Sequence, residues 1–294
     1  MARQMLSILT FVVASSFGWA LPMGFAAAPV LQKDSAALYL AWAKIKTPTA
    51  GPTEPLGTYA AGCLTGAVAV PVDAPGYAGM RLSRNRLFAH PQMVNYLKDL
   101  SERLRQGKMP LLLIGDVSPP RGGPMPTGHN SHQIGLDVDL WLRMSRARPT
   151  TSERESWSAT GYVIQRKKLK KSWSSTQVKM IAAAADSSEV ARIFVSPAIK
   201  RYFCNQFPSA PWQYRLRPWW GHEEHIHVRL LCPAGAATCV NQAPLSPADN
   251  GCGTDLDWWF SKEADDNWTK ISTDHTPRVF PDIPDACSDM PTRP

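Results

Sequence analysis

Two short segments alternate strictly between apolar and polar side chains, and this pattern constrains the fold more than any other feature of the chain. In HIHVRL (225–230), Ile226, Val228 and Leu230 take one parity and His225, His227 and Arg229 the other. In GLDVDLWL (135–142), Leu136, Val138, Leu140 and Leu142 oppose Asp137, Asp139 and Trp141. A period of two is that of a β-strand, whose successive side chains point to opposite faces. Each segment therefore buries one apolar face while the other carries ionisable groups. On the first of them the Cα atoms of His225 and His227 would stand ~6.5 Å apart on one side, close enough for one ring to hold a metal while the other acts on what the metal binds.

The chain has 7 histidines, and five of them, His129, His132, His222, His225 and His227, fall within the stretches GHNSHQIGLDVD and GHEEHIHVRL. HEEH invites comparison with the helical zinc motif HExxH, but Ile226 stands where the second ligand would have to be. His132 lies in the loop entering the second alternating segment, and Asp139 follows seven positions later on its polar face. Zinc accepts imidazole nitrogen and carboxylate oxygen in a tetrahedron, and catalytic sites keep three protein ligands and one open position. His132, Asp139 and His227 would supply such a set, leaving a net positive centre that lowers the pKa of a bound water toward ~7.

The first thirty residues have an early Arg3, an apolar run and the small residues Ala26, Ala27 and Ala28 before Pro29. This reads as a signal peptide, residues 1–28, cleaved after Ala28, and Ser15, Ser16, Gly18, Pro22 and Gly24 interrupt the run too often for a stable membrane anchor. No later segment comes close to spanning a bilayer. Residues 29–294 are long enough to bury a sizeable core. The 6 cysteines, Cys63, Cys204, Cys232, Cys239, Cys252 and Cys287, contain no CxxC pair, so in an exported chain three disulfides are the simplest account, with the pairing left open by the sequence. The formal charge of +8 favours an anionic partner, and export disfavours nucleic acid, for which no motif appears. The basic run RKKLKKSW (166–173) reads as a solvated loop or helix face.

The segment 90–107 has Met93, Leu97, Leu100 and Leu104 at helical spacing and Gly107 after it, and MPLLLIGDVS (109–118) reads as a buried strand. A helix from about Ser175, a strand in VARIFVS and a helix starting at Pro197 follow. Residues 144–175 read as a polar excursion of no assigned structure, and the Pro-rich segments 47–75 and 276–294 as irregular. Helices interleave with short strands without a regular βαβ series, so the expected fold class is α+β.

The pattern H-x6-D followed downstream by H-x-H resembles the LAS group of zinc peptidases, which includes D-Ala-D-Ala dipeptidases and carboxypeptidases and the penicillin-insensitive murein endopeptidases. The blocks PRGGPMPTGHNSHQIGLDVDLWLRM and WWGHEEHIHVRLLCP look specifically like the murein endopeptidase branch, and ARIFVSPAIK fits it too. The resemblance spans most of the mature chain and implies one domain over 29–294, built on a small antiparallel sheet that carries the zinc site, flanked by helices and long disulfide-tied loops, as in Hedgehog-like folds. It implies Zn2+ held by His132, Asp139 and His227, with His225 as the catalytic partner and His129 and His222 near the metal. A related glutamate position corresponds to Glu224, although alternation would turn it away from His225. An upstream arginine that steadies the substrate carbonyl corresponds to Arg121, and Trp219 and Trp220 would wall the substrate groove. The implied disulfides are Cys63–Cys287, Cys204–Cys252 and Cys232–Cys239.

The resemblance further implies a periplasmic hydrolase that cleaves D-alanyl–diaminopimelate cross-links of peptidoglycan and, having no serine nucleophile, is insensitive to penicillin. Two alternatives are a carboxypeptidase trimming free D-Ala-D-Ala ends and a non-catalytic, zinc-stabilised binding domain. The sequence does not fix the oligomeric state, and a homodimer is compatible with it.

Overall fold

The computed structural model describes residues 40–125, 129–159, 161–164, 166–273 and 282–293. The expected signal peptide lies outside the described residues, as does the 274–281 part of the Pro-rich C-terminal tract. Seven strands make the central sheet: β1 (Asp73–Ala74), β2 (Tyr77–Gly79), β3 (Leu112–Ile114), β4 (Asp137–Trp141), β5 (Val190–Val195), β6 (Leu216–Pro218) and β7 (His225–Leu230). Their spatial order is β6-β5-β7-β4-β3-β2-β1.

The class is α+β as expected, but the sheet is neither small nor wholly antiparallel. Its centre, β5-β7-β4-β3, is antiparallel, whereas β5/β6 and β2/β3 run parallel. The two strands that add these parallel pairs, β2 and β6, have three residues each, too few to display a period in the sequence.

The apolar parity of β4 and β7 is what fixes the centre of the sheet. Val138, Leu140, Ile226, Val228 and Leu230 are fully buried, each worth about 1.5–3 kcal/mol relative to exposure. A one-residue slip of either strand would expose its apolar set and turn its ionisable residues into the core, so burial on one face specifies what stands on the other.

Helix α1 (Pro91–Gln106) buries Met93, Tyr96, Leu97, Leu100 and Leu104, with the His90 side chain capping its N-terminus. The short helix α2 is Thr151–Ser156. Helix α3 is Ser175–Ala185, and Ala184 in it accepts the Tyr96 hydroxyl at 3.0 Å. Helix α4 (Pro197–Gln206) starts at Pro197 and is capped by Ser196.

Two segments read as irregular contain structure. Thr150 and Glu153 form a reciprocal capping box on α2. Residues Val163–Ile164 and Lys168–Leu169 make a small hairpin that carries part of the basic run, with Lys168, Lys170 and Lys171 exposed but Arg166 buried against Asp265 at 2.7 Å. The Pro-rich 47–75 tract holds a hairpin, Glu54–Thr58 against Ala61–Thr65. The buried strand expected over 109–118 is only three residues long.

Three disulfides pair the six cysteines as the resemblance implies. Cys63–Cys287 joins the hairpin to the C-terminal tract, Cys204–Cys252 ties down α4, and Cys232–Cys239 closes the loop directly after β7. No helix among the described residues is long and apolar enough to cross a membrane.

Candidate metal centre

Strands β4 and β7 pair with His225 opposite Trp141, His227 opposite Asp139 and Arg229 opposite Asp137. Directly opposed residues of an antiparallel pair share a face, so this register alone brings an imidazole and a carboxylate together. His132 arrives from the loop before β4 with φ 67°, a left-handed conformation uncommon for a residue with a side chain. Two bonds hold it there: its backbone N–H donates to Asp137 Oδ2 at 2.9 Å and its ring Nδ1–H to the Val117 carbonyl at 2.7 Å. With the proton on Nδ1, the Nε2 lone pair faces the cluster. The turn before it needs glycine at 122, where φ is 61° and a Cβ would lie 1.9 Å from the Gln133 carbonyl oxygen.

Three ligand-type atoms then form a compact triangle. His132 Nε2 stands 3.1 Å from His227 Nδ1 and 3.3 Å from Asp139 Oδ1, and His227 Nδ1 stands 3.5 Å from Asp139 Oδ1. Zinc bonds of ~2.0–2.1 Å in a tetrahedron place ligand atoms about 3.3–3.4 Å apart, so the triangle has the edges such an ion requires. Asp139 Oδ1 is buried and accepts no hydrogen bond, an orphaned acceptor at the middle of the site.

The electrostatics also favour a cation. Burial opposes the charged form of Asp139, but His225, His132 and His129 outweigh it and hold the carboxyl well below its usual range. Burial likewise opposes a charged His132, yet Asp139 and Asp137 pull its pKa up to about 9, while burial dominates at His227 and takes it down to about 4. Of two rings in contact at 3.1 Å, one therefore takes the positive charge that the carboxylates call for.

Behind the triangle stands Asp137, fully buried, with Oδ1 3.0 Å from His227 Nε2. That contact lies off the hydrogen-bond axis but is close enough to couple the charges. Arg229 grips the same carboxylate through Nε at 2.8 Å and Nη2 at 3.2 Å, and its guanidinium sits 4.2 Å from the Tyr59 ring centroid.

A second buried acid, Asp116, accepts from Arg84 at 3.0 Å and Arg86 at 2.8 Å and lies 3.0 Å from His129 Nε2. His129 in turn approaches the outer oxygen of Asp139, Oδ2, at 3.4 Å. His129, His132 and Asp139 thus form an alternative trio within 4.8 Å. The trio with His227 is the tighter one, because its three atoms converge on Oδ1 while the His129 nitrogen is already engaged by Asp116.

His225, at the start of β7, places Nε2 3.6 Å from Asp139 Oδ1 with its side chain 21% exposed. Burial and the neighbouring His129 and His132 hold its pKa below the ordinary value against the pull of Asp139. His222 is buried, donates Nδ1–H to the Trp220 carbonyl at 2.8 Å, and has its ring centroid 5.0 Å from that of His225. Burial first, then His225 and His227, push its pKa well down.

A cleft of about 320 Å³ opens beside these groups, lined by Asp116, His129, Asp139 and His225 together with Arg81, Arg84, Trp141 and Glu224. Because β7 begins only at His225, strand alternation does not govern Glu224, and it faces the same cleft as His225. Trp219 is half exposed, and Phe194 bridges it to the site, 6.1 Å from Trp219 and 5.3 Å from His227 between centroids.

Arg121 does not join this arrangement. Its Nε donates to Thr47 O at 3.0 Å, and its Nη1 to Met290 O at 2.7 Å and Arg293 O at 2.6 Å, so the guanidinium is consumed in tying together two distant parts of the chain. The family resemblance pointed to it as the upstream arginine that steadies the substrate carbonyl; sequence reasoning gave it no other link to the site. It passed over Asp116, whose only signal is an acid ending an apolar run, and over Arg84 and Arg86, which have none.

Residues 55–291 match the sequence profile of the family described as penicillin-insensitive murein endopeptidase. The chain belongs to the penicillin-insensitive murein endopeptidase family. Relatives bearing that name include a Haemophilus influenzae protein, 40% identical over 261 residues that cover 85% of this chain and 88% of the relative. A Klebsiella pneumoniae protein is 40% identical over 84% of this chain and 89% of its own length, and one from Yersinia enterocolitica 37% identical over 74% and 80%. Family membership makes the protein a peptidase, and the His–Asp cluster supplies the ligands that a metal-dependent peptidase needs.

Proposed function

We propose that this protein is a zinc-dependent murein DD-endopeptidase that hydrolyses D-alanyl–meso-diaminopimelate cross-links of peptidoglycan. The observation that carries the reading is the 3.1–3.5 Å triangle of His132 Nε2, Asp139 Oδ1 and His227 Nδ1 at the edge of an open cleft. These three residues hold the ion. Bound there, zinc supplies Lewis acidity toward a carbonyl oxygen and a lowered water pKa.

The chain's own groups do the rest. Asp137 and the Val117 carbonyl keep His227 and His132 turned so that their free nitrogens face Asp139. His225, kept neutral by burial, accepts a proton at Nε2 and returns it to the departing amine. Glu224 borders the same cleft and His222 packs beside the His225 ring, and they are the other candidates for that proton, while His129 steadies Asp139 from its outer oxygen. The exposed Trp219 and its neighbour Trp220 offer aromatic surface to the murein strand.

The same reading places the mature chain, 29–294, in the periplasm as one LAS-type endopeptidase domain after removal of residues 1–28. Three disulfides and the family's wall polymer both suit that compartment.

Purified cross-linked muropeptide dimers, incubated with the protein alongside metal analysis, test the proposal. Monomers that keep their terminal D-alanine, with one zinc per chain, are expected. Loss of D-alanine from uncleaved dimers would make the protein a carboxypeptidase instead, and a metal-bound protein that cleaves nothing would make it a binding domain.

A further inference from the structure

A one-turn helix, Leu82–Arg84, is bracketed by two left-handed residues that are not glycine, Arg81 with φ 55° and Asn85 with φ 56°. Such a conformation is uncommon for a residue with a side chain and persists only where the surroundings over-determine it. That is the case here. Ser83 donates both its N–H and its hydroxyl to Glu155, at 3.0 and 2.7 Å, and the Arg81 N–H donates to the Arg154 carbonyl at 3.1 Å. Asn85 Nδ2 donates to Lys46 O at 3.2 Å.

What this strained turn presents is a pair of guanidinium groups on the cleft wall. Arg84 is 48% exposed, and the only acid it touches among the described residues, Asp116, is already neutralised by Arg86 at 2.8 Å. Arg84 is thus the surplus cation of its cluster. Arg81 is held by the Trp157 carbonyl at 2.7 Å and by its lie near Trp141, 5.6 Å from the ring centroid, and pairs with no acid among the described residues. A chain of three contacts joins Arg84 to the metal triangle: it touches Asp116 at 3.0 Å, and His129 lies 3.0 Å from Asp116 and 3.4 Å from Asp139.

We infer that Arg84, with Arg81 beside it, determines substrate specificity by binding the free carboxylate on the amine side of the scissile bond. This rests on the endopeptidase reading. In such a cross-link the acylated nitrogen belongs to a diaminopimelate carbon that also bears a carboxylate, two bonds from the nitrogen, whereas the D-alanine being released at its carbonyl has no carboxylate of its own. An arginine fork matches a carboxylate in a way that a lysine point charge does not. Glu224 lines the same cleft and disfavours an anion beside it, so the arginines also fix which way round the cross-link lies.

The test uses two muropeptide dimers that differ only in whether that carboxylate is free or amidated. The wild-type protein should cleave the free acid with kcat/KM about 10- to 100-fold higher, mainly through KM, as for one charge-assisted pair on a half-exposed wall. In Arg84→Gln the ratio should fall toward one, Arg84→Lys should recover part of it, and Arg81→Gln should lower it less. Equal cleavage of both dimers by the wild type would overturn the inference, as would an Arg84→Gln protein that binds zinc and keeps the full ratio. Failure of the zinc-loaded wild type to cleave either dimer would instead overturn the endopeptidase reading beneath it.

Discussion

Asp137 Oδ1 stands 3.0 Å from Nε2 of His227, on the side of the ring away from Asp139. A buried carboxylate behind a metal-facing imidazole fixes the ring and raises its basicity, and loss of such a partner costs 10–100-fold in metal affinity in comparable sites. Asp137→Asn, which keeps the shape, should weaken zinc binding by about that factor in a chelator competition while three ligands remain in place. An unchanged zinc affinity would remove Asp137 from the site's design.

Deleting a ligand is a harsher change. Asp139→Ala and His132→Ala should each lower bound zinc to well under one equivalent by elemental analysis and reduce dimer cleavage by on the order of 10³-fold or more. Chelation of the wild type should do the same, with activity restored by added zinc. Retention of full activity in His227→Ala but not in His129→Ala would shift the third ligand to His129, which approaches Asp139 from its other oxygen.

The acid limb of the pH profile reports the proton acceptor. Burial lowers the pKa of His225 below its ordinary 6.5, so the ring sheds its proton earlier as pH rises and remains a neutral base under mildly acidic conditions. The rise of kcat/KM with pH should therefore have its midpoint below 6.5, and a bound cation nearby moves it further the same way. His225→Ala should remove that limb along with most of the activity but keep the zinc. A midpoint clearly above 6.5 would assign the limb to another group.

Arg121 serves stability, and its substitution should show this. Arg121→Ala leaves the carbonyls of Thr47, Met290 and Arg293 without their donor. Unfolding free energy should drop by about 2–4 kcal/mol and Tm by several degrees, with kcat/KM per folded molecule little changed at a temperature where the variant is folded. A large fall in kcat with an unaltered Tm would restore the catalytic role that the family resemblance implies.

How far the site was legible in the sequence follows the range of the forces that build it. Strand parity is local, so the shared face of His225, His227 and Arg229 and that of Asp137 and Asp139 could be read directly. The pairing of His227 with Asp139 is a register between strands some ninety positions apart, and only their family likeness hinted at it. Arg81, Arg84 and Arg86 reach the site through a strained 3-10 turn and a buried acid, neither of which leaves a periodic trace. The parallel pairs of the sheet escaped for the same reason, since the strands that add them are three-residue pieces held by their neighbours. Arg121, expected at the site from the family resemblance alone, is instead engaged by the carbonyls of Thr47, Met290 and Arg293, a long-range contact that no local pattern records.

Cys63 and its partner Cys287 are separated by 224 positions. A chain exported N-terminus first, as proposed, would present Cys63 to the oxidant long before Cys287, so this clasp would be the last to be able to close. A truncated or stalled product would keep a dangling thiol and lack the tail carbonyls that Arg121 grips, leaving an unfinished hydrolase exposed to quality-control proteolysis. For an enzyme that cuts the fabric holding the cell together, joining head to tail makes completeness of the polypeptide a condition of its durability.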